Sequence, residues 1–579
     1  MVNHSTAVGR MIVEQLLMAG MQHAVVAPGS RSAPLALALS QAADAGRIRL
    51  HIRIDERDAG FLALGLAKAS GRVVPVLVTS GSAVANLAPA MVEAFYSSVP
   101  VLALTADRPA EYRPTNAPQT INQSGIFSNF VLAELDLASE PTHAAPDEVR
   151  ELFRIMTGQS ASSHEGSEIS SLAKGPGHLN VQFDLPLMPE AADLEWEPQA
   201  SGGDLATGVP PSNHDSRAEA GTQTPDASTM TKPILELPAR GLMVIGDLSE
   251  QRIADQAMQL AQALGWPIVW EPTSQAHKSA NSLSHGSLLL ATNKLPTPEV
   301  VITVGTVGLS RSVLGILGAT NQHIAVQIPS ASKVQPDPAL TATQILDSIP
   351  NITTTVDSEW LEIWQSADVQ ASHIVQRELS GQALNGPLAA LSLWNFTRDD
   401  DQLMVAASWS VRHLEAYAPT RAGLRTFGNR GANGIDGLIS TAWGVATLGP
   451  KRTYLLIGDV AFLHDIGGLN VADETRPNLT IVVLDNDGSG IFSQLEQAGP
   501  AYRSHYEKIF GTPHGLDLWV IAEAFGFATT RVTTKDELNR ALGRTQDIPG
   551  VHVIVCSTGK REDEAALISR MAHALAETL

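Results

Sequence analysis

The chain carries one cysteine in 579 residues, only 5% aromatic side chains and 39 basic residues against 60 acidic ones. A single thiol cannot close an intrachain disulfide or build a cysteine zinc cluster, and Cys556, inside VHVIVCS, reads as a small core residue. No run of about 18 apolar residues occurs, and the opening MVNHSTAVGRMIVEQLLMAG lacks a long apolar h-region, so neither a membrane span nor a secretory leader is expected and the chain reads as cytoplasmic. The formal charge of −21, with no basic run, makes nucleic acid and anionic membranes unexpected partners.

What is present is an ordinary globular balance of 44% apolar and 17% charged residues, long enough for about three or four domains at roughly 150 residues each. Short runs that are apolar on both faces recur between helix-length segments: HAVVAP, VVPVLVT, VPVLALT, LMVIGD, VVITVG, TYLLIGD, LTIVVLD and VHVIV. That alternation predicts buried strands in parallel sheets flanked by helices, an α/β fold. Polar stretches at 158–178 and 199–233 interrupt it, and a weaker break falls near 380–390. The expected division is 1–195, a polar linker at 196–235 with mobile character, 236–375 and 385–579. The first and last blocks are candidates for two related sheets.

Three places carry chemistry. After HAVVAP, the turn with Gly29, Ser30, Arg31 and Ser32 opens a helix; its free N–H groups and guanidinium suit a carboxylate, and a plain capped turn fits equally. Glu56, between a strand and a small, apolar helix, is compatible with a proton-sharing acid and with a charge that complements the helix dipole. Asp459 and Asn486 close two successive strand patterns 27 residues apart, so both sit at strand carboxyl ends, where a crevice forms. A carboxylate, an amide oxygen and the Gly488 carbonyl suit magnesium bound to a diphosphate, and the glycines admit phosphate close to the backbone.

The spacing from GD at 458–459 to DND at 485–487 resembles the thiamine-diphosphate signature, departing from it with Val460 for the third glycine and with Asp485 and Asp487 around Asn486. APGSRSAPLALAL, the DERDAGF segment, LTADRPAE, NRGANGIDGLISTAWGV and GSGIFSQLEQ narrow the resemblance to the 2-succinyl-5-enolpyruvyl-6-hydroxy-3-cyclohexene-1-carboxylate synthase family. The likeness spans both ends of the chain and is thin in the middle, where only VGTVGLSRSVL is suggestive.

The resemblance implies pyrimidine-binding, central and diphosphate-binding α/β domains, and active sites shared between the subunits of a dimer, commonly within a tetramer. It implies thiamine diphosphate with Mg2+ or Mn2+ held by Asp459, Asn486 and Gly488, and Glu56 activating the aminopyrimidine. Further cofactor contacts are implied for Ser408, Ile435, Gly458, Ile491 and Phe492. The implied reaction is decarboxylation of 2-oxoglutarate and addition of the succinyl carbanion equivalent to isochorismate, in menaquinone biosynthesis. Ser30, Arg31, Arg108, Gln119, Arg311, Ser408, Arg412 and Arg430 match the family's substrate-contacting positions. Another thiamine-dependent 2-oxo acid decarboxylase, or an acetohydroxyacid-type synthase, would share Glu56 and the metal motif but has no need of so many arginines. A catalytically silent paralogue would be expected to lose Glu56 or the metal ligands, and no GxGxxG follows the early strands to suggest a nicotinamide enzyme.

Overall fold

The computed structural model describes residues 2–159, 173–199, 234–248, 250–353, 355–421, 423–471 and 476–579. Nearly all of the polar linker expected at 196–235, and the core of the 158–178 stretch, lie outside these residues. The strand Gly177–Gln182 begins inside the latter stretch.

Three parallel sheets organise the chain. The N-terminal sheet runs, edge to edge, Arg49–Ile52, His23–Val26, Val74–Val78, Val101–Asp107, Gly177–Gln182 and Ala133–Leu137. The C-terminal sheet runs Arg425–Phe427, Gln402–Val405, Thr453–Gly458, Leu479–Asp485, Val551–Ser557 and Ala528–Val532. Numbered within each half, both orders read 2-1-3-4-6-5 with every pair parallel, so the two ends of the chain are built alike. Between them lies a five-stranded sheet, Gln344–Leu346, Gln322–Val326, Val300–Val304, Gly241–Ile245 and Ile268–Trp270, and a separate parallel pair, Ile234–Glu236 with Asn351–Thr353. The apolar runs are the inner strands: Val74–Val78, Val101–Asp107, Gly241–Ile245 and Val300–Val304 are buried at every position, as strands covered by helices on both faces must be. Cys556 is fully buried in strand Val551–Ser557, which pushes its thiol up and leaves it inert.

Strand order reverses between His23–Val26 and Val74–Val78 in the first sheet and between Gln402–Val405 and Thr453–Gly458 in the last. Ligands collect outside the carboxyl ends of strands at such switch points. Arg31 follows the first of these strand ends, and Ser408 and Asp459 flank the second.

The two end sheets meet through helices Glu56–Ser70 and Leu438–Leu448, which cross on glycine. A Cβ on Gly65 would lie 2.1 Å from the Thr441 carbonyl oxygen, and one on Gly444 2.6 Å from that of Leu62. Phe61, Leu62, Leu66, Ile439, Ala442 and Trp443 surround the crossing, all essentially buried. At its start the first helix is capped by Asp55, whose carboxylate accepts from the N–H groups of Arg57 and Asp58. Near its end Lys68 donates to the Gly428 carbonyl (2.6 Å) and to Glu93 (3.4 Å), and Glu93 in turn accepts from the N–H groups of Gly431 and Ala432.

This crossing generates a contrast in sign. Gly65→Ala and Gly444→Ala should each destabilise by about 1–3 kcal/mol, because backbone cannot yield as a flexible side chain can. Gly315→Ala, in helix Arg311–Ala319 with nothing within 4 Å of the added methyl, should stabilise by about 0.5–1 kcal/mol. Thermal unfolding midpoints of the three variants check this; an unchanged midpoint for Gly65→Ala would refute the tight crossing.

Candidate active site

Asp459 opens a short helix directly after strand Thr453–Gly458 and is buried. Its Oδ1 accepts from Val460 N–H (2.7 Å), and its Oδ2 accepts from the N–H groups of Asn486 (3.1 Å) and Gly488 (2.8 Å). The carboxylate therefore fixes the loop that leaves the neighbouring strand, Leu479–Asp485. Gly488 has φ +135° and its Cβ would meet the Gly511 carbonyl at 2.2 Å, so only glycine fits. Asn486 Oδ1 is buried without a hydrogen-bond partner, and nothing lies within 4 Å of where a Gly458 Cβ would be. A buried anion, an unpartnered amide oxygen and open space beside a glycine fit a metal-bound diphosphate.

Two further residues complete this corner: His514, which the sequence does not mark, and Asp485, named there only beside Asn486 in the motif. His514 accepts the Leu516 N–H at Nδ1 (3.0 Å), which leaves Nε2 to donate to Asp459 Oδ2 at 3.3 Å. Asp485 lies 3.7 Å from the same Nε2. Burial and the neighbouring Asp459 push the Asp485 carboxyl up, whereas the hydrogen bond to Asp459 raises His514. Asp485 belongs to the DND motif and could have been read there. His514, in a GTPHG stretch with no helical or strand period, gives no such signal.

Around the same sheet, Ser408 takes φ +67°, a strained position for a residue with a side chain. Its carbonyl accepts from Arg412 (3.0 Å). Ile491 and Phe492 are half-buried on the short helix Gly490–Gln494, with Phe492 packed on Phe510 at 5.8 Å, and Ile435 is half-buried before helix Leu438–Leu448.

The arginines fall into two groups. Arg31 and Arg108 both follow strands of the N-terminal sheet; Arg31 donates to the Phe183 carbonyl (2.8 Å) and Arg108 to that of Pro118 (3.3 Å). Burial, then the charge of Arg108, lowers Arg31. Gln119, at φ +58°, exchanges hydrogen bonds with Ser80 at the end of strand Val74–Val78, and Ser30 is exposed nearby in the GSRS turn. Arg412 and Arg430 form the second group with Arg311, where the central and C-terminal sheets meet. Arg412 is lowered by burial and feels both Arg430 and Arg311. Arg430 lies 3.8 Å from the buried Glu271. Glu415, fully buried beside them, is pushed up to about 8 by burial and by Glu271. A neutral Glu415 leaves the arginines an excess of positive charge in a strongly acidic chain.

Comparison with known proteins agrees with this geometry. Residues 6–126 match a model described as thiamine pyrophosphate enzyme, N-terminal TPP binding domain, and residues 406–556 its C-terminal TPP binding counterpart. A 2-succinyl-5-enolpyruvyl-6-hydroxy-3-cyclohexene-1-carboxylate synthase of Thermobifida fusca is 40% identical over 93% of this chain and 94% of its own length. Proteins of the same name from Kineococcus radiotolerans and Nocardia farcinica are 37% and 36% identical, over 93% and 99% of the chain and 94% and 100% of their own lengths. The chain belongs to this synthase family. Within the family frame, the N-terminal match contains Ser30, Arg31, Glu56, Arg108 and Gln119, and the C-terminal match contains Ser408, Arg412, Arg430, Asp459, Asn486, Gly488 and His514. Arg311 and Glu271 lie between the two. Among the described residues no helix is long and apolar enough to cross a membrane.

Glu56 itself is half-buried and accepts from Asn86 Nδ2 at 3.1 Å. The start of its helix meets residues beyond Asp459: Arg57 donates to the His464 carbonyl (3.0 Å) and lies 3.7 Å from Asp465. Behind it, two buried carboxyls face each other. Burial, then Asp55, pushes Asp58 up to about 6, and burial, then Asp58, pushes Asp465 up to about 8; Arg57, and for Asp58 also Arg53, oppose this. Asp465 Oδ2 also accepts from Ile439 and Ser440 N–H. Because both folded values lie above the ordinary carboxylate range near 4, the neutral forms favour the fold, and that stability is present below about pH 4 and lost as pH climbs through about 6 and then 8. Asp465→Asn keeps an acceptor for the two N–H groups without the charge. Its unfolding midpoint should therefore fall less than the wild type's between about pH 5 and pH 9. Parallel midpoint curves would contradict this account.

Proposed function

We propose that this member of the family decarboxylates 2-oxoglutarate and adds the succinyl unit to isochorismate, giving 2-succinyl-5-enolpyruvyl-6-hydroxy-3-cyclohexene-1-carboxylate on the route to menaquinone, with thiamine diphosphate and Mg2+ or Mn2+, in the cytoplasm. The observation that carries the reading is the switch point of the C-terminal sheet, where buried Asp459, the unpartnered Asn486 oxygen and Gly488 converge. Asp459, Asn486 Oδ1 and the Gly488 carbonyl hold the cation, and the open space at Gly458 admits the diphosphate. Ile435, Ile491 and Phe492 give apolar walls that exclude water from the reacting carbon.

When bound, thiamine diphosphate would supply a nucleophilic carbon and a place for the electron pair that decarboxylation releases. Glu56 offers a carboxylate oxygen to the aminopyrimidine ring nitrogen, a charge-assisted bond of about 1.5–3 kcal/mol, and so governs the proton there. Both substrates are dicarboxylates. Ser30, Arg31, Arg108 and Gln119 at one strand-end cluster, and Arg311, Ser408, Arg412 and Arg430 at the other, divide the carboxylates between them.

In one chain the start of Glu56's helix meets His464 and Asp465, at the opposite end of helix Asp459–His464 from Asp459. Following the family resemblance, the reading pairs Glu56 with Asp459 of a second copy, so a dimer is the least active unit and a tetramer two such dimers. Residues 1–195, 236–375 and 385–579 serve as pyrimidine-binding, central and diphosphate-binding domains.

Purified protein with thiamine diphosphate, Mg2+, 2-oxoglutarate and isochorismate should consume isochorismate and release carbon dioxide in equal amounts. Glu56→Gln should lower kcat at least about 100-fold, the usual worth of a positioned acid, with little change in unfolding midpoint. Carbon dioxide from pyruvate in preference to 2-oxoglutarate would overturn the substrate assignment, and an unimpaired Glu56→Gln the role of the acid.

A further inference from the structure

Glu271 follows strand Ile268–Trp270 of the central sheet, a position with no assigned role, and it is 2% exposed. Its Oε1 accepts from the N–H groups of both Gly308 and Leu309, each at 2.9 Å. Its Oε2 is buried with no hydrogen-bond partner and lies 3.8 Å from an Arg430 terminal nitrogen. Arg430 Nε is likewise buried without a partner, so the guanidinium is held near one acid yet keeps a donor for another.

The backbone around Glu271 is fastened to the strand that leads to Arg430. Gln275 exchanges two hydrogen bonds with the backbone of Thr426 (2.6 and 3.1 Å), and the Thr426 hydroxyl donates to the Pro272 carbonyl. On its other side, the 308–309 turn that Glu271 holds presents the Leu309 carbonyl to Arg412 Nη2 at 3.2 Å. Burial pushes the Glu271 carboxyl up, against Arg430 and the two backbone N–H groups, and this one side chain sets two arginines at once, one by facing it and one through a turn.

We propose that Glu271 is a positioning residue that holds Arg430 and Arg412 in register to receive a substrate carboxylate. The inference rests on the reading of those arginines as substrate receivers. Glu271 Oε1 is occupied by two backbone N–H groups, and the Arg430 Nε donor has no hydrogen-bond partner among the described residues. An incoming carboxylate completes the guanidinium's bonding without displacing Glu271.

Glu271→Gln replaces the carboxyl facing Arg430 with an amide. In the full-length protein with thiamine diphosphate and Mg2+, it should raise KM for 2-oxoglutarate or for isochorismate at least about tenfold, with kcat within about threefold and thiamine diphosphate affinity unchanged. Glu271→Asp keeps the carboxyl one methylene short; it should raise the same KM by less, and it carries the test if the amide variant does not fold. KM values within about twofold of wild type, or a common loss of cofactor affinity, kcat and unfolding midpoint in both variants, would overturn the proposal in favour of no role or a purely structural one. If the wild type neither turns over these substrates nor binds glutarate by calorimetry, the assigned reaction fails. The crystal structure of whichever variant folds then decides the positioning role: an Arg430 guanidinium displaced together with the 308–309 turn supports it, and an unmoved one overturns it.

Discussion

The glycine crossing of helix Glu56–Ser70 on helix Leu438–Leu448 sets the position of Glu56 and of the turn that carries Arg430. Because Gly65 and Gly444 bring backbone against backbone, the first helix can neither slide nor rotate without a clash. Its start is thereby fixed against His464 and Asp465, and its end carries Lys68 to the Gly428 carbonyl. Glu93 reinforces that end by holding the N–H groups of Gly431 and Ala432. Arg430 sits in the turn so clamped, with the N-terminal half on one side and Glu271 of the central sheet on the other.

That arrangement answers a problem posed by the composition. A chain of net charge −21 that is proposed to handle two dianionic substrates must concentrate positive charge locally and keep its own acids from cancelling it. Burial does part of this: Glu415, with Glu271 nearby, is pushed up to about 8 and stays uncharged near neutrality. The acid that remains close to Arg430 has one oxygen committed to two backbone N–H groups, so it orients the guanidinium more than it neutralises it. At the Asp459 corner the same economy appears: its oxygens order the Asn486–Gly488 loop while the Asn486 side chain keeps a free oxygen.

Much of this was legible in the sequence, and the limits have physical causes. Inner strands declare themselves as apolar runs, so both end sheets, the central sheet and the strand-end placement of Asp459 and Asn486 could be read directly. Strand Gly177–Gln182 could not, because His178, Asn180 and Gln182 are buried polar residues; Asn180 and Gln182 bond to Asp107 or Asp136, and His178 to Thr105. Glu271 follows a three-residue strand, too short for its pattern to mark a strand-end acid. His514 reaches Asp459 from a stretch without period, and the Asp58–Asp465 contact joins residues about 400 positions apart, beyond any local pattern.

The central claim is that one working site takes Glu56 from one subunit and Asp459 from its partner. Mixing inactive Glu56→Gln and Asp459→Asn proteins, unfolding them together and refolding to exchange subunits, tests it directly. A mixed dimer would contain one site with both substitutions and one with neither, and half of the dimers would be mixed. The account therefore predicts recovery of about a quarter of wild-type activity, as closed two-fold symmetry requires. Activity that stays at the level of the separate variants, with mixed dimers demonstrably formed, would contradict it.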